Sequence, residues 1–339
     1  MKILLTGCQG YIGTELYFAL IKDGYEVSGV DAGYFEFAHV EHIEKISFSK
    51  LDLRDIGKLR LSDFDCIIHL AALSNDPLGE IDEDLTFMIN RDCAIDLARR
   101  AKNSGVARFI FASTQSIYGI SNTGQELSEE AQKSPITAYA RSKWDAEQEI
   151  LGMSSADFTS VAVRPSTVFG WGARIRNDIV FNNMISNGLK SKSIRVHSDG
   201  KPIRPVVHIL DVIDFFTLLI KAPKEKISGE AFNLGMVRGN FTVLEIAKAA
   251  SEQLGGLPIE LNTENLVDQR SYSVSFKKSQ DRLGFIARRD LRFGAKEIVT
   301  KYNSLSSKDQ SKFFNSTNRL DYLHSLVNSG KLNQALLWI

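Results

Sequence analysis

The chain has 339 residues, of which 43% are hydrophobic and 24% are charged, and its formal net charge is zero. This composition is ordinary for a globular protein, and the balanced charge excludes the basic footprint of a nucleic-acid-binding protein. The length suits one large α/β unit with a smaller lobe, and no apolar run approaches the roughly 20 residues that a membrane-spanning helix needs.

The chain begins with a predicted strand, a glycine-rich loop and a helix. Residues 2–6 are apolar, glycines follow at positions 7, 10 and 13, and the helix extends to about Lys22. Glycine permits a tight turn and a close approach of the backbone to a pyrophosphate, which the N-terminus of the helix then faces. We therefore expect a dinucleotide at Gly7, Gly10, Tyr11, Ile12 and Gly13.

Acidic residues follow the next two predicted strands. The second strand, residues 25–30, ends at Asp31, about 20 residues after the glycines. A carboxylate there accepts hydrogen bonds from an adenosine ribose and repels a 2′-phosphate, so the sequence favours NAD over NADP. The alternative is an aspartate that only stabilises a turn. After a third strand at 46–48, we expect Asp52 and Leu53 near the adenine.

The fourth predicted strand, residues 66–72, ends in small residues that would let the backbone approach the cofactor. His69, inside this strand, is expected to be an ordinary core histidine. The cofactor contacts predicted here and in the following helix, residues 85–102, are Leu70, Ala71, Ala72 and Asn90. Ser74 and Asn75, just beyond the strand, are predicted to contact a sugar.

A fifth strand, residues 108–112, leads to Thr114, and a later helix, residues 138–151, carries Tyr139 and Lys143 one turn apart. Residues four apart on a helix are neighbours, so we expect the Lys143 ammonium to lower the pKa of Tyr139 from its usual value of about 10. A tyrosinate can then accept the proton of an alcohol. The alternative is an ordinary amphipathic helix in which Tyr139 packs and Lys143 is solvated.

The strand ends all fall at the carboxyl edge of one predicted sheet, where ligands bind in open α/β folds. We predict an α/β protein with a Rossmann-type doubly wound parallel sheet and a smaller, discontinuous α/β substrate lobe. Residues 1–165, completed by about 206–240, would bind NAD, and residues 166–205 and 241–303 would form the lobe. Thr242 and Glu245 predict a helix capping box. Residues 304–339 form a tail of unknown role, for which we considered a subunit interface.

The three cysteines are Cys8, Cys66 and Cys93, and their uneven spacing predicts neither a disulfide framework nor a metal site. A reducing compartment suits such a sequence best. We therefore expect a cytoplasmic protein without a membrane anchor.

Taken together, these residues resemble the extended short-chain dehydrogenase/reductase family, in its nucleotide-sugar epimerase/dehydratase branch, over about residues 1–300. The resemblance implies that Thr114 holds the substrate oxygen, that Tyr139 exchanges the proton, and that Lys143 tunes Tyr139 and binds the nicotinamide ribose. It also implies that Arg204 and Arg270 contact the diphosphate of a nucleotide-diphosphate sugar. We further expect a homodimer.

Departures from the family pattern narrow the expected chemistry. Dehydratases of this branch carry Asp-Glu after the catalytic threonine, whereas this chain has Gln115 and Ser116, which do not titrate near neutral pH. Decarboxylases and epimerising reductases of the branch likewise require an acid or a cysteine where Ser116 stands. Thr167 and Phe169 replace the family's Asn and Tyr, so substrate contacts are not assigned there.

The predicted activity is that of an NAD-dependent nucleotide-sugar epimerase, which oxidises a sugar hydroxyl, at C4 by preference, and reduces the ketone from its other face. A second possibility is a net reductase or dehydrogenase of keto-sugar nucleotides that uses the same three residues. A third is a non-catalytic NAD-binding sensor or scaffold, which would need only the glycine loop and Asp31.

Overall fold

The computed structural model describes residues 1–41, 46–121, 125–262, 271–315 and 318–339. The strands, in chain order, are β1 (Lys2–Thr6), β2 (Glu26–Asp31), β3 (Phe48–Lys50), β4 (Cys66–His69), β5 (Arg108–Ala112), β6 (Thr159–Pro165), β7 (Thr167–Phe169), β8 (Ile194–Val196), β9 (Ile203–His208), β10 (Glu230–Leu234), β11 (Asn240–Thr242) and β12 (Ile259–Leu261).

The helices, in chain order, are α1 (Tyr11–Lys22), α2 (Asp76–Gly79), α3 (Glu83–Phe87), α4 (Cys93–Asn103), α5 (Ala138–Gly152), α6 (Val180–Ser191), α7 (Ile209–Lys221), α8 (Lys224–Ile227), α9 (Val243–Gln253), α10 (Lys277–Leu283), α11 (Leu291–Ser304), α12 (Ser307–Asn315) and α13 (Arg319–Asn328). A π-helical turn, Met88–Asp92, joins α3 to α4, so residues 85–102 are helical as predicted, with this turn within the helical segment.

A seven-stranded sheet organises the molecule. Its order is β10-β6-β5-β4-β1-β2-β3, and every pair of neighbours is parallel. Strands β4 and β6 are buried almost throughout, as expected when helices cover both faces of a parallel sheet. This confirms the predicted doubly wound fold. The strand order reverses between β1 and β4, and the carboxyl ends of strands at such a point flank a ligand-binding crevice.

Two smaller sheets lie beyond the sixth strand. One has the order β11-β9-β7, and in the other β8 pairs with β12 across more than sixty residues of sequence. Strand β10 returns from this region to the edge of the large sheet. The predicted capping box is confirmed, because Thr242 accepts from the Glu245 amide and the Glu245 carboxylate accepts from the Thr242 amide.

The C-terminal tail packs against its own chain. Phe313 is buried in the core on the α1 and α7 side of the sheet, while Leu323, Leu326, Leu332 and Leu336 are buried in the core on the opposite side. These apolar anchors are therefore satisfied within one protomer, and the subunit interface considered from the sequence is not what buries them.

Among the described residues, no helix is both long and apolar enough to cross a membrane.

Candidate active site

A cavity of about 1060 Å³ opens at the carboxyl edge of the sheet, where the strand order reverses. The glycine loop, the ends of β2, β4 and β5, the start of α5 and the segment before α6 all line it. Of the cofactor, substrate and catalytic residues predicted from the sequence, all those that the structure describes line this cavity except Asn90. Arg270 lies outside the described residues.

The glycine loop is held close to β4. Gly7 has a φ of +75°, which favours glycine, and a Cβ at this position would lie 2.7 Å from the Ala71 amide nitrogen. A Cβ at Gly13 would lie 2.0 Å from the Gly7 carbonyl oxygen. Helix α1 begins directly after Gly10, which supplies no side-chain cap. The N-terminus of α1 therefore presents backbone N–H groups and its positive dipole end to the cavity.

Asp31 is fixed at the end of β2. Its two carboxylate oxygens accept hydrogen bonds from the Gln9 amide at 2.9 Å and from the Gly33 amide at 2.8 Å. Burial raises the pKa of this carboxyl, and the two backbone donors oppose that effect. The carboxylate is thus held in one position at the cavity wall, as a ribose acceptor requires.

Asp52 and Leu53 begin a short 3₁₀ helix at the same edge. The Asp52 carboxylate accepts from Arg54 Nε at 2.7 Å and Nη2 at 2.6 Å, and from the Tyr34 hydroxyl at 3.3 Å. Burial acts to raise the pKa of Asp52, but the hydrogen bonds from Arg54 outweigh it and lower the pKa. The residue therefore stays charged at the predicted adenine end of the cavity.

Thr114, Tyr139 and Lys143 meet at the inner end of the cavity. The Thr114 hydroxyl caps the short helix that follows it by accepting from the Ser116 amide at 3.1 Å, and it acts to lower the pKa of Tyr139. Helix α2 fixes the position of Tyr139, since a Cβ at Gly79 would lie 2.8 Å from the Tyr139 Cβ. The packing of α2 and β5 on α5 thus brings the two hydroxyls together.

Lys143 is only 2% exposed, and its ammonium lies 4.0 Å from the centroid of the Phe111 ring. Burial lowers the pKa of Lys143 to about 7, although Glu147 acts in the opposite direction. The alternative of an ordinary amphipathic helix with a solvated lysine is therefore wrong.

The expected effect of Lys143 on Tyr139 is also wrong. Burial raises the pKa of Tyr139 to about 12, and the contributions that lower it come from the Thr114 hydroxyl and from Arg176. Withdrawal from water disfavours the charged phenolate of Tyr139, and this outweighs the contributions of Thr114 and Arg176.

An arginine–aspartate pair forms the wall between the glycine loop and α6. Asp178 accepts from Arg176 Nε at 3.0 Å and Nη2 at 2.6 Å, and from Asn75 Nδ2 at 3.1 Å. Arg176 Nη1 also donates to the Ser74 carbonyl and hydroxyl. The two predicted sugar contacts, Ser74 and Asn75, are thus positioned by a pair that sequence reasoning did not assign to the site.

Asn90 is buried behind the cavity wall. Its Oδ1 accepts from the Leu73 amide at 2.9 Å, and its Nδ2 donates to the Leu73 carbonyl at 3.2 Å. Asn90 thus holds the segment after β4, and the cofactor contact expected of it stays a prediction.

Gln115, the residue after Thr114, is 1% exposed and its amide is held by the protein. Nε2 donates to the carbonyls of Arg164 and Leu234, and Oε1 accepts from the Ser166 hydroxyl. Ser116 lines the cavity. Neither side chain supplies an acid or a base near neutral pH. His69, a predicted core residue, is fully buried, with its Nδ1 2.7 Å from the Thr6 hydroxyl.

Comparison with known proteins adds independent information. Residues 3–235 match the model of the NAD dependent epimerase/dehydratase family. The chain is 27% identical to the UDP-glucose 4-epimerase of Lactobacillus helveticus over 315 residues, which cover 84% of this chain and 92% of that protein. It is 26% identical to the dTDP-D-glucose 4,6-dehydratase of Mus musculus over 280 residues, covering 79% of this chain and 77% of that protein.

Among solved structures, MoeE5 in complex with UDP-glucose and NAD superposes with a TM-score of 0.75. The two chains are 26% identical, and the match covers 90% of this chain and 100% of MoeE5.

Proposed function

The chain belongs to the NAD-dependent epimerase/dehydratase family, and we propose that it is an NAD-dependent nucleotide-sugar epimerase. The observation that carries this proposal is the meeting of Thr114, Tyr139 and Lys143 in the same cavity as the glycine loop and Asp31. The reaction would oxidise one sugar hydroxyl, which we take to be that on C4, to a ketone. Reduction of that ketone from its other face would give the epimer.

The cavity fits NAD. The close contact between the glycine loop and Ala71 leaves no space for side chains, the start of α1 faces the cavity, and Asp31 is held at the ribose position. Gly7, Gly10, Tyr11, Ile12 and Gly13 would hold the pyrophosphate, and Asp31 the adenosine ribose. When bound, NAD supplies the hydride acceptor and the hydride donor of the two half-reactions.

The proton is handled by the protein's own hydroxyls. Thr114 would orient the sugar oxygen. Tyr139, as the phenolate that forms when it has released its own proton, would accept the proton of the sugar hydroxyl as the carbon is oxidised and return it when the ketone is reduced. The net reaction consumes neither protons nor electrons. Lys143, buried beside Phe111, would bind the nicotinamide ribose.

A second lobe would retain the ketone between the two half-reactions. We propose that residues 166–205 and 241–303 form this lobe, which is supported by the pairing of β8 with β12. Arg204 and His197 line the cavity from this side, and a guanidinium suits a diphosphate. The contact expected of Arg270 stays a prediction, as does the homodimer.

The side chains after Thr114 support epimerisation over dehydration. Water loss needs an acid and a base beside the reacting carbons, and Gln115 and Ser116 offer neither. Gln115 is further committed to two backbone carbonyls and to Ser166.

The proposed activity is tested by incubating the purified protein, without added cofactor, with UDP-glucose, UDP-glucuronic acid and dTDP-glucose in turn. We expect a C4 epimer and no net change in absorbance at 340 nm. Formation of NADH with an oxidised sugar would identify a dehydrogenase instead, and loss of water from the sugar would identify a dehydratase. A protein that binds NAD and converts no nucleotide sugar would be a sensor or scaffold.

A further inference from the structure

An arginine from the C-terminal tail reaches the cavity. Arg319 is the first residue of α13, far beyond residues 3–235 that match the family, and it lines the cavity while being only 2% exposed. Its Nη2 donates to the Arg174 carbonyl at 2.8 Å. Its Nη1, also buried, has no hydrogen-bond partner among the residues that the structure describes. A buried charged donor without an acceptor is costly, so a ligand is the expected partner.

The groups around Arg319 do not neutralise it. Asp178 attracts the guanidinium, but both oxygens of that carboxylate already accept from Arg176. Asp31 attracts it as well, and its oxygens accept from Gln9 and Gly33. Arg174 and Arg176 repel it. Burial, followed by repulsion from Arg176, lowers the pKa of Arg319 to about 9, which indicates a cation that its surroundings satisfy incompletely.

Arg319 is connected to α1 through Arg174. The Arg174 carbonyl accepts from Arg319, and Arg174 Nη1 donates to the Thr14 hydroxyl, in α1, at 2.8 Å. The Arg319 guanidinium also lies 4.6 Å from the ring centroid of Phe35, which lines the cavity just after β2. The guanidinium and the start of α1, which carries the positive end of the helix dipole, therefore line the same cavity.

The last residues of the tail form hydrogen bonds to residues near Asp31 and Asp52, where the adenosine is predicted to bind. Trp338 Nε1 donates to the Ala32 carbonyl at 2.6 Å, directly after Asp31. The Tyr34 hydroxyl donates to the Leu336 carbonyl at 2.6 Å, and Arg54 Nη1 donates to the Ala335 carbonyl at 2.7 Å. The tail is thus attached on both sides of the predicted ribose position.

We propose that Arg319 binds the pyrophosphate that joins the two halves of NAD, and that the tail thereby retains the dinucleotide in the cavity. The unpartnered Nη1 group carries two N–H donors, which suit the oxygens of a diphosphate. Because the ligand is a dinucleotide diphosphate, this inference holds for any sugar substrate. It also gives the tail a role that its sequence does not predict.

The test compares ligands that differ in their phosphates. Full-length wild-type protein and Arg319→Met are titrated calorimetrically, after removal of any bound nucleotide, with NAD, ADP, adenosine and UDP. We expect Arg319→Met to weaken NAD and ADP about tenfold to a hundredfold, since a hydrogen bond to a charged group is lost, and to leave adenosine and UDP unchanged. Arg319→Lys should fall between the two, and Arg99→Met, which removes an exposed arginine of α4, should match the wild type.

Two results would overturn the proposal. If Arg319→Met unfolds at a lower temperature but binds NAD as tightly as the wild type, the arginine only supports the Arg174 carbonyl. If the variant loses affinity for UDP and not for NAD, the guanidinium serves the sugar nucleotide instead. If Arg319→Met does not fold, Arg319→Gln is titrated with the same four ligands instead. Glutamine keeps a donor for the Arg174 carbonyl but carries no charge.

Discussion

The Lys143 ammonium lies 4.0 Å from the centroid of the Phe111 ring, packed between α5 and β5. Phe111 lies on β5, three residues before Thr114, and Lys143 follows Tyr139 by one helical turn. The contact therefore holds α5 against the strand that leads to Thr114. Burial at this contact also removes the ammonium from water, which lowers the pKa of Lys143 to about 7.

Replacing Tyr139 with Phe should lower kcat at least a hundredfold, because general acid–base catalysis contributes about 10²–10⁴ in rate. NAD affinity should be unchanged, since the phenyl ring keeps its packing against α2. Steady-state epimerisation and NAD titration measure the two effects. Tyr25→Phe, which changes a tyrosine outside the cavity lining, is the matched control. Normal activity of Tyr139→Phe would show that Tyr139 is not the catalytic base.

Lys143→Met should alter how stability depends on pH. Lys143 has a folded pKa of about 7 and an unfolded value near 10.4, so the unfolded chain binds the extra proton between these limits. The contribution of Lys143 to the free energy of unfolding therefore rises with pH from about 7 to 10.

This dependence is measured by urea unfolding of both proteins across that pH range. The wild type should gain stability relative to Lys143→Met as the pH rises. A difference that is constant with pH would mean that the buried lysine keeps its ordinary pKa.

Asp31→Asn should relax the choice of cofactor. The charged acceptor is lost, so NAD should bind about tenfold more weakly, while the 2′-phosphate of NADP no longer meets a carboxylate. The ratio of the two dissociation constants, from fluorescence titration, is the measurement. Asp23→Asn, at an exposed position after α1, serves as the control. An unchanged preference for NAD would show that another group excludes the phosphate.

Asn90→Ala should reduce the free energy of unfolding by about 1–3 kcal/mol, because it leaves the buried amide and carbonyl of Leu73 without partners. If Asn90 supports the wall and does not touch the cofactor, the effect on NAD affinity should be small. Denaturant unfolding and NAD titration separate the two roles. A large loss of NAD affinity with unchanged stability would restore the contact expected from the sequence.

The features that the sequence predicted correctly are those set by local geometry. Gly7 adopts a left-handed backbone conformation and lies close to Ala71, after β4. Both features are visible in the sequence, as the glycines of the loop and the small residues that follow the fourth strand. Tyr139 and Lys143 share a face because four residues make about one helical turn. Asp31 ends a strand that follows the break of the first helix at Asp23 and Gly24.

The features that the sequence did not predict depend on contacts between residues that are far apart in the chain. Arg176 and Arg319 are separated by more than 140 residues, and neither belongs to a periodic pattern, so only the folded chain brings them to one wall. The raised pKa of Tyr139 reflects burial by segments on several elements, which spacing within one helix does not reveal. The π-helical turn that contains Asn90 was also not predicted, because the apolar pattern does not reveal it.

The most direct test of epimerisation uses a nucleotide sugar deuterated at C4. Purified protein is incubated with C4-deuterated UDP-glucose or UDP-glucuronic acid, without added NADH, and the product is analysed by NMR and mass spectrometry. We predict a C4 epimer that keeps its deuterium at C4, because hydrogen leaves and returns through the same cofactor molecule. Loss of the label to solvent, its transfer to C6 with loss of water, or the absence of an epimer from either sugar would contradict the proposed function.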